Sequence, residues 1–153
     1  MFIGEHIVKL DSAGRVLFPS TLKRQLGGRE QEGFVIKEDI FEPCLVLYPM
    51  YEWERQNKIL QQKLNSYKRE HSRFIRQFYS STAEMFLDSS NRLLIPKRLI
   101  IKINANKELV FAGLDTKIEI WPYETWKNME TDDDFGSLAE KILGQSDNTI
   151  TEE

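Results

Sequence analysis

Short apolar stretches bounded by turn residues occur along this chain, separated by longer segments with apolar residues at helical spacing. Short apolar runs between turn signals are typical of strands, whereas recurrence every three to four residues is typical of helices. The predicted strands cover residues 5–10, 16–18, 34–37 and 44–48, and then residues 84–87, 93–95, 108–111 and 117–121. The pattern therefore predicts an α+β fold.

Proline marks the start of two short predicted helices. Pro19 and Pro96 each follow a strand, and proline cannot continue a hydrogen-bonded ladder but suits the first turn of a helix. The helices that follow are predicted at residues 20–26 and 97–102. Each short strand therefore leads directly into a helix.

Residues 50–80 form a longer segment with apolar residues at helical spacing. A break is predicted at residues 65–66, where Ser66 is a suitable N-cap. Farther along, we predict a short helix at residues 135–143 and a mobile tail at residues 144–153. The middle segment also carries many cations, which we interpret as a solvated helix face opposite the apolar stripe rather than as direct contacts with nucleic acid. These cations are Arg55, Lys58, Lys63, Lys68, Arg69, Arg73 and Arg76.

The same elements occur twice. Residues 10–19 return 77 positions later as residues 87–96, and residues 45–49 return 73 positions later as residues 118–122. Such self-similarity indicates that one supersecondary unit was duplicated, so the copies should be related by a pseudo-two-fold axis. The predicted organisation is a first repeat at 1–53, a helical linker at 54–80, a second repeat at 81–130 and an acidic C-terminal segment at 131–153.

Each copy contains the segment Asp-Ser-x-(Gly/Asn)-Arg. The first copy supplies Asp11, Gly14 and Arg15, and the second supplies Asp88, Asn91 and Arg92. Glycine and asparagine are the residues that best tolerate positive φ, and aspartate accepts hydrogen bonds from backbone N–H groups that follow it. The segment therefore predicts a tight turn that ends in an arginine.

The turn arginine has two interpretations. The aspartate and the arginine can form an ion pair that pins a hairpin, or the carboxylate can orient a guanidinium that projects toward a ligand. Arginine suits phosphates and guanine edges, and a bidentate contact with guanine contributes ~1–3 kcal/mol of discrimination. Since one arginine can do both, we expect Arg15 to have a binding role.

Composition narrows the class of protein. The chain has 153 residues, of which 41% are hydrophobic and 29% are charged, and its longest apolar run is far below the ~20 residues that cross a bilayer. A single cysteine, Cys44, excludes an internal disulfide framework and is typical of a reducing compartment. The N-terminus lacks the features of a signal peptide. We therefore expect a cytoplasmic protein.

Charge is unevenly distributed between the halves. The net charge is −3, yet residues 1–76 carry 13 basic against 10 acidic side chains, and residues 77–153 carry 8 against 14. Each repeat nevertheless has a local basic segment after its turn, with Lys23 and Arg24 in one copy and Lys97 and Arg98 in the other. The acidic balance therefore does not exclude a nucleic-acid partner.

Catalysis finds little support in the sequence. The chain has two histidines, His6 and His71, and no metal-ligand spacing or glycine-rich phosphate loop. Cys44 is interpreted as a small buried hydrophobe, and Asp11 and Asp88 lie in turns that do not favour a catalytic carboxylate pair. We predict no enzyme activity, no cofactor and no small-molecule substrate.

Several motifs in order resemble those of the MraZ family. The resemblance covers about residues 1–130 and rests on Met1-Phe2-x-Gly4, the two turns, Pro43-Cys44-Leu45-x-Leu47-Tyr48-Pro49-x-x-Glu52-Trp53-Glu54, and Lys117-x-Glu119-x-Trp121 with Trp126. The turn motif alone is shared by AbrB/SpoVT-type DNA-binding domains. The resemblance implies two tandem AbrB/SpoVT-like β-barrel repeats with flanking helices.

The resemblance also implies a function. It implies a nucleoid-associated transcriptional regulator, a repressor of its own division and cell-wall operon, that binds direct repeats in promoter DNA as a ring of eight or twelve subunits. The matching motif residues and the nearby cations form the candidate DNA-binding set: Asp11, Arg15, Lys23, Arg24, Asp88, Arg92, Lys97 and Arg98.

Two positions depart from the family pattern. Ala13 stands where the family often has lysine, and Asn91 replaces the second turn glycine. Because the first copy keeps the glycine and lies in the basic half, we expect Arg15 to dominate DNA contact, with Arg92 sharing that task or serving assembly. The alternatives are a ring-forming scaffold protein and an AbrB-type antitoxin, the latter disfavoured by the short acidic tail.

Overall fold

The computed structural model describes residues 1–129 and 134–151. Each of the eight predicted strands is confirmed, with slightly shifted bounds. The strands are β1 (Phe2–Lys9), β2 (Arg15–Leu17), β3 (Phe34–Glu38), β4 (Leu45–Pro49), β5 (Ala83–Met85), β6 (Arg92–Leu94), β7 (Glu108–Asp115) and β8 (Lys117–Pro122). A short 3-10 turn at Glu30–Glu32 precedes β3.

The helices predicted at residues 20–26, 50–80 and 97–102 are confirmed, and a further short helix follows β8. The helices are α1 (Ser20–Gln25), α2 (Met50–Gln62), α3 (Arg69–Ser80), α4 (Lys97–Lys102), α5 (Tyr123–Met129) and α6 (Phe135–Thr151). The break between α2 and α3 is confirmed, but Ser66 is not the N-cap; that position belongs to Lys68. The end predicted for α6 is also wrong, because the helix continues through the segment expected to be a tail.

The strands of the two copies are interleaved. A six-stranded antiparallel sheet has the order β1-β7-β8-β4-β3-β5, and β2 pairs with β6 in a separate two-stranded ribbon. The counterparts in the two copies are β1 and β5, β3 and β7, and β4 and β8. The sheet order is therefore the same when the copies are exchanged and the sheet is read from the other edge. The pairs Val46↔Glu119 and Val16↔Leu93, both between equivalent residues, lie at the pseudo-two-fold centres of the sheet and the ribbon.

The expected closure of the sheet into β-barrels is wrong as stated. Strands β1 and β5 are the edges of the six-stranded sheet and do not pair with each other among the described residues. The physical reason is that the strands that would continue each edge, β2 and β6, hydrogen-bond to each other instead. The architecture is therefore a mixed α+β arrangement of an open antiparallel sheet and a ribbon.

One core joins both repeats. Buried side chains from the sheet, the ribbon, α1 and α4 form a single cluster: Phe2, Val16, Phe18, Leu22, Leu26, Phe34, Ile36, Leu45, Leu47, Met85, Leu93, Ile95, Leu99, Ile103, Leu109, Phe111, Ile118 and Ile120. Because neither copy supplies a complete core alone, residues Met1–Tyr123 form one compact unit. Its burial holds the ribbon against the sheet.

Helices α2 and α3 cover the opposite face of β3 and β4. The Trp53 ring lies 6.1 Å from that of Tyr48 and stacks on Phe78 at 6.0 Å. The Lys37 ammonium lies 4.9 Å from the Phe78 ring centre, and burial lowers the pKa of Lys37. This aromatic packing places the linker helices on the sheet face away from the ribbon.

A second unit begins at Glu124 and contains α6. Part of the predicted acidic segment, residues 131–133 and 152–153, lies outside the described residues. None of the helices in the described ranges combines the length and apolar character needed to cross a bilayer.

Candidate nucleic-acid interface

The ribbon brings the two turn arginines onto one surface. In the β2–β6 ladder, Arg15 pairs with Leu94, Val16 with Leu93, and Leu17 with Arg92. Because alternate residues point to opposite faces of a ribbon, the central pair turns inward and the other four side chains turn outward. Val16 and Leu93 are 1% and 0% exposed, which confirms the inward direction. The outward face therefore carries two arginines and two leucines.

Each turn is closed by its aspartate. Asp11 Oδ1 accepts hydrogen bonds from the backbone N–H groups of Ala13 at 2.9 Å and Arg15 at 2.8 Å. In the second copy, Asp88 Oδ1 accepts from Ser90 at 2.8 Å and Arg92 at 2.9 Å. The sequence prediction of equivalent tight turns is confirmed, since these contacts match position by position.

The residues predicted to need positive φ have it, at 92° for Gly14 and 60° for Asn91. Their carbonyls cross between copies: the Phe18 N–H donates to Asn91 O, and the Ile95 N–H donates to Gly14 O, both at 2.9 Å. A Cβ at Gly14 would lie 3.3 Å from the Ile95 carbonyl, so the close cross-copy approach also favours glycine. The turns therefore fix the register of the ribbon.

The turn aspartates stay ionised in mildly acidic solution. The hydrogen bond from the Arg15 backbone N–H is the main cause that holds the pKa of Asp11 below its ordinary value of 3.8. The Arg92 backbone N–H lowers the pKa of Asp88 in the same way, and the Arg92 guanidinium adds to the effect. Hydrogen bonds to the ionised form account for both directions.

The two arginines differ in their partners. Arg92 Nε lies 3.2 Å from Asp88 Oδ2, which is the ion pair that one interpretation of the motif predicts. Arg15 forms no ion pair with any residue that the structure describes. Asp11 therefore holds the backbone of the first turn while its arginine side chain stays available on the ribbon face.

Each helix after the ribbon lies against the turn of the other copy. The Lys23 ammonium on α1 donates to Asn91 Oδ1 at 2.8 Å, so this cation belongs to the Arg92 end of the ribbon. Its counterpart on α4, Ile100, would lie 3.6 Å from a Cβ at Gly14. Both helices after the turns are basic, but their cations lie at different helix positions, since Lys23 in the first copy is replaced by Ile100 in the second.

The remaining candidate cations are spread over both helices. Arg24 lies in the last turn of α1 and Lys97 begins α4, and both side chains are exposed. Arg98 instead donates to the carbonyls of Ser80 at 3.3 Å and Thr82 at 3.2 Å, where α3 ends. Such contacts satisfy carbonyls at a helix terminus, so Arg98 has a structural contact that its sequence position did not reveal.

The cysteine and the two histidines lie in separate parts of the fold. Cys44 is fully buried, as predicted, and burial raises the pKa of its thiol. His71 Nδ1 accepts the Asn65 backbone N–H at 2.8 Å between α2 and α3. His6 lies on β1 opposite Phe111.

Leu17 and Leu94 are the site residues that the sequence interpretation missed. They occupy equivalent positions in the two repeats and are 62% and 54% exposed. The signal was present, because each follows an outward arginine by two residues in a strand, and that spacing predicts the same face.

Comparison with known proteins shows that both halves of the chain are similar to one family. A family model described as "MraZ protein, putative antitoxin-like" matches residues 1–77 and again residues 78–142. The two matches confirm the tandem repeat.

Proteins named "Transcriptional regulator MraZ" match nearly the whole chain. The one from Christiangramia forsetii is 39% identical over 147 residues, covering 95% of this chain and 94% of the relative. That from Phocaeicola vulgatus is 38% identical over 152 residues, covering 99% of each, and that from Clostridium tetani is 36% identical over 146 residues, covering 93% and 96%.

Proposed function

This chain belongs to the MraZ family, and we propose that it is a transcriptional regulator that binds promoter DNA through its β2–β6 ribbon. The observation that carries the proposal is the outward ribbon face, on which Arg15 and Arg92 lie together. A two-stranded ribbon fits the major groove, and arginine is suited to guanine edges and phosphates. Relatives with the regulator's name span nearly the full chain, which supports the same activity here.

The candidate residues fall into those placed to contact bases, those placed to contact phosphates and those that hold the turns. Arg15 and Arg92 are positioned to contact base edges, while Lys23, Arg24 and Lys97 flank the ribbon and suit phosphates. Asp11 and Asp88 act through the turns, and we assign Arg98 to the edge of the surface because it also contacts α3.

The proposed target is the one that the family resemblance implies. We assign the protein to repression of its own operon, the division and cell-wall gene cluster, through direct repeats at the promoter. This places it in the cytoplasm on the nucleoid, with no enzyme activity, cofactor, small-molecule substrate or membrane partner required.

Assembly would supply affinity that one subunit lacks. With a net charge of −3, a single chain has no overall electrostatic attraction to DNA, so binding must depend on its local basic side chains. A ring of eight or twelve copies can engage several repeats at once, which raises avidity without strengthening any one contact. Each repeat is assigned an AbrB-like fold, within the organisation 1–53, 54–80, 81–130 and 131–153.

A mobility-shift experiment tests this function. The purified full chain is titrated onto DNA from upstream of its own gene, with random DNA as competitor, while light scattering gives the particle mass. We expect an oligomer several times the 18.0 kDa chain mass that retains the upstream DNA and releases it steeply as salt rises. An oligomer that does not distinguish the two DNAs would favour the scaffold function, and a monomer would contradict the ring.

A further inference from the structure

Two large apolar side chains lie on the most polar part of the ribbon. Leu17 and Leu94 are 62% and 54% exposed, whereas the central pair of the ribbon, Val16 and Leu93, is buried. The exposed pair is related by the pseudo-two-fold axis of the ribbon, so the same chemistry occurs in both repeats. An exposed leucine alone needs no explanation, but a symmetric pair on a candidate binding face does.

Each leucine directly faces an arginine. In the ladder Leu17 is opposite Arg92 and Leu94 is opposite Arg15, which places their Cβ atoms about 4.5–5.5 Å apart. Along each strand the arginine and leucine are two residues apart, or about 6.6 Å, so both side chains point to the same face. The face therefore alternates cation and apolar group in both directions.

The charge of the face favours DNA over another copy of this chain. Packing two such ribbons face to face would bring four arginines together and bury them, whereas a DNA groove is negatively charged. Base edges in the major groove carry a single kind of apolar group, the 5-methyl of thymine. Arginine and leucine together thus match a guanine and a nearby thymine.

We propose that Leu17 and Leu94 determine specificity by contacting thymine 5-methyl groups in the major groove while Arg15 and Arg92 contact guanine. The inference rests on the proposed function and adds a requirement to it. Recognition depends on methyl groups that carry no charge and form no hydrogen bond. Sites read by this ribbon combine guanine with a nearby thymine.

The test replaces thymine by uracil, which removes the methyl group and keeps base pairing. Duplex DNA from upstream of the protein's own gene is prepared with either base and titrated with the full chain. We expect uracil to weaken specific binding by roughly threefold to fivefold for each methyl group that a leucine would otherwise cover. Equal affinity for the two duplexes would overturn the inference and leave the proposed function standing.

A protein variant assigns the effect to the leucines. The double variant Leu17→Ala/Leu94→Ala should bind the thymine duplex about as weakly as the wild type binds the uracil duplex, and should lose most of its preference for thymine. The matched control is Ile59→Ala, an exposed aliphatic residue on α2, which should keep the full preference.

Three further outcomes distinguish failure of the thymine contact from failure of DNA binding itself. If the leucine variant keeps the thymine preference, other residues sense the methyl group and the inference is wrong. If it alters the particle mass measured by light scattering, the leucines form an interface between copies, which also overturns it. If the wild type binds neither duplex above random DNA, the proposed function itself fails.

Discussion

At the residue scale, the Asp-x-x-x-Arg motif divides its tasks between backbone and side chain. Asp11 and Asp88 each bind two backbone N–H groups of their own turn, and this closes the turn whether or not the arginine side chain is paired. The arginine after the turn is then carried outward by a strand that pairs with the other repeat. The aspartates are therefore positioning residues, and both arginines lie on the outward face, Arg92 in an ion pair with Asp88.

The turn aspartates predict a specific pH dependence. Each has a pKa below 3.8 in the folded protein, so their stabilisation is present above that ordinary value and is lost as pH falls through the lower folded pKa. Denaturant unfolding of Asp11→Ala should show lower stability than the wild type at neutral pH and a smaller loss on acidification.

Asp11→Asn is the control for that experiment. Its amide oxygen can still accept both N–H groups but does not titrate, so it should retain more stability at neutral pH than Asp11→Ala and show the same reduced acid sensitivity. An alanine variant with wild-type stability and acid response would mean that these hydrogen bonds do not hold the turn.

Local chemistry predicted these turns, but not their partners. The shared tolerance of glycine and asparagine for positive φ predicted both turn conformations, at Gly14 and Asn91. The contact between Lys23 and Asn91 joins residues from different repeats, and no local pattern specifies it. For the same reason, the sequence suggested that Lys23 lies near the turn of its own repeat, whereas it contacts the turn of the other repeat.

At the element scale, strand positions were predictable and strand partners were not. Apolar runs and turn residues locate β1 and β7, but periodicity does not say that an N-terminal strand pairs with one from the second repeat. The open sheet has the same cause, since β2 and β6 pair with each other rather than extending it. The strands interleave because both copies contribute side chains to one core.

Gly113 tests the interleaved pairing. A Cβ at this position would lie 2.6 Å from the Ile3 nitrogen and 2.7 Å from the Phe2 carbonyl carbon, so alanine must push β1 away from β7. Gly113→Ala should lower the free energy of unfolding by roughly 1–3 kcal/mol, and hydrogen exchange should show weaker protection in β1.

Gly136→Ala serves as the matched control, because a Cβ there meets no atom within 4 Å and alanine favours a helix. Its stability should be unchanged or slightly higher. Equal stability of the two variants would contradict the close approach of β1 to β7.

At the scale of the whole molecule, duplication creates one candidate binding face rather than two. The pseudo-two-fold axis passes through the ribbon, so a single chain presents both arginines on one face. The two ends remain unequal, because Arg92 is paired with Asp88 and lies near Lys23, whereas Arg15 has no ion pair among the described residues. Sequence alone suggested the inequality from net charge; the contacts give it a different basis.

If the ribbon is the surface that contacts DNA, replacing its arginines should lower the affinity for upstream DNA. Arg15→Ala and Arg92→Ala are compared with Arg73→Ala, an exposed cation on α3, after light scattering has shown the wild-type particle mass for each. We expect each ribbon variant to lose about tenfold or more in specific affinity, equivalent to ~1.4 kcal/mol, with Arg15→Ala losing more. Arg73→Ala should bind like the wild type. Wild-type specific binding by the Arg15→Ala/Arg92→Ala double variant would show that DNA is bound elsewhere than on the ribbon.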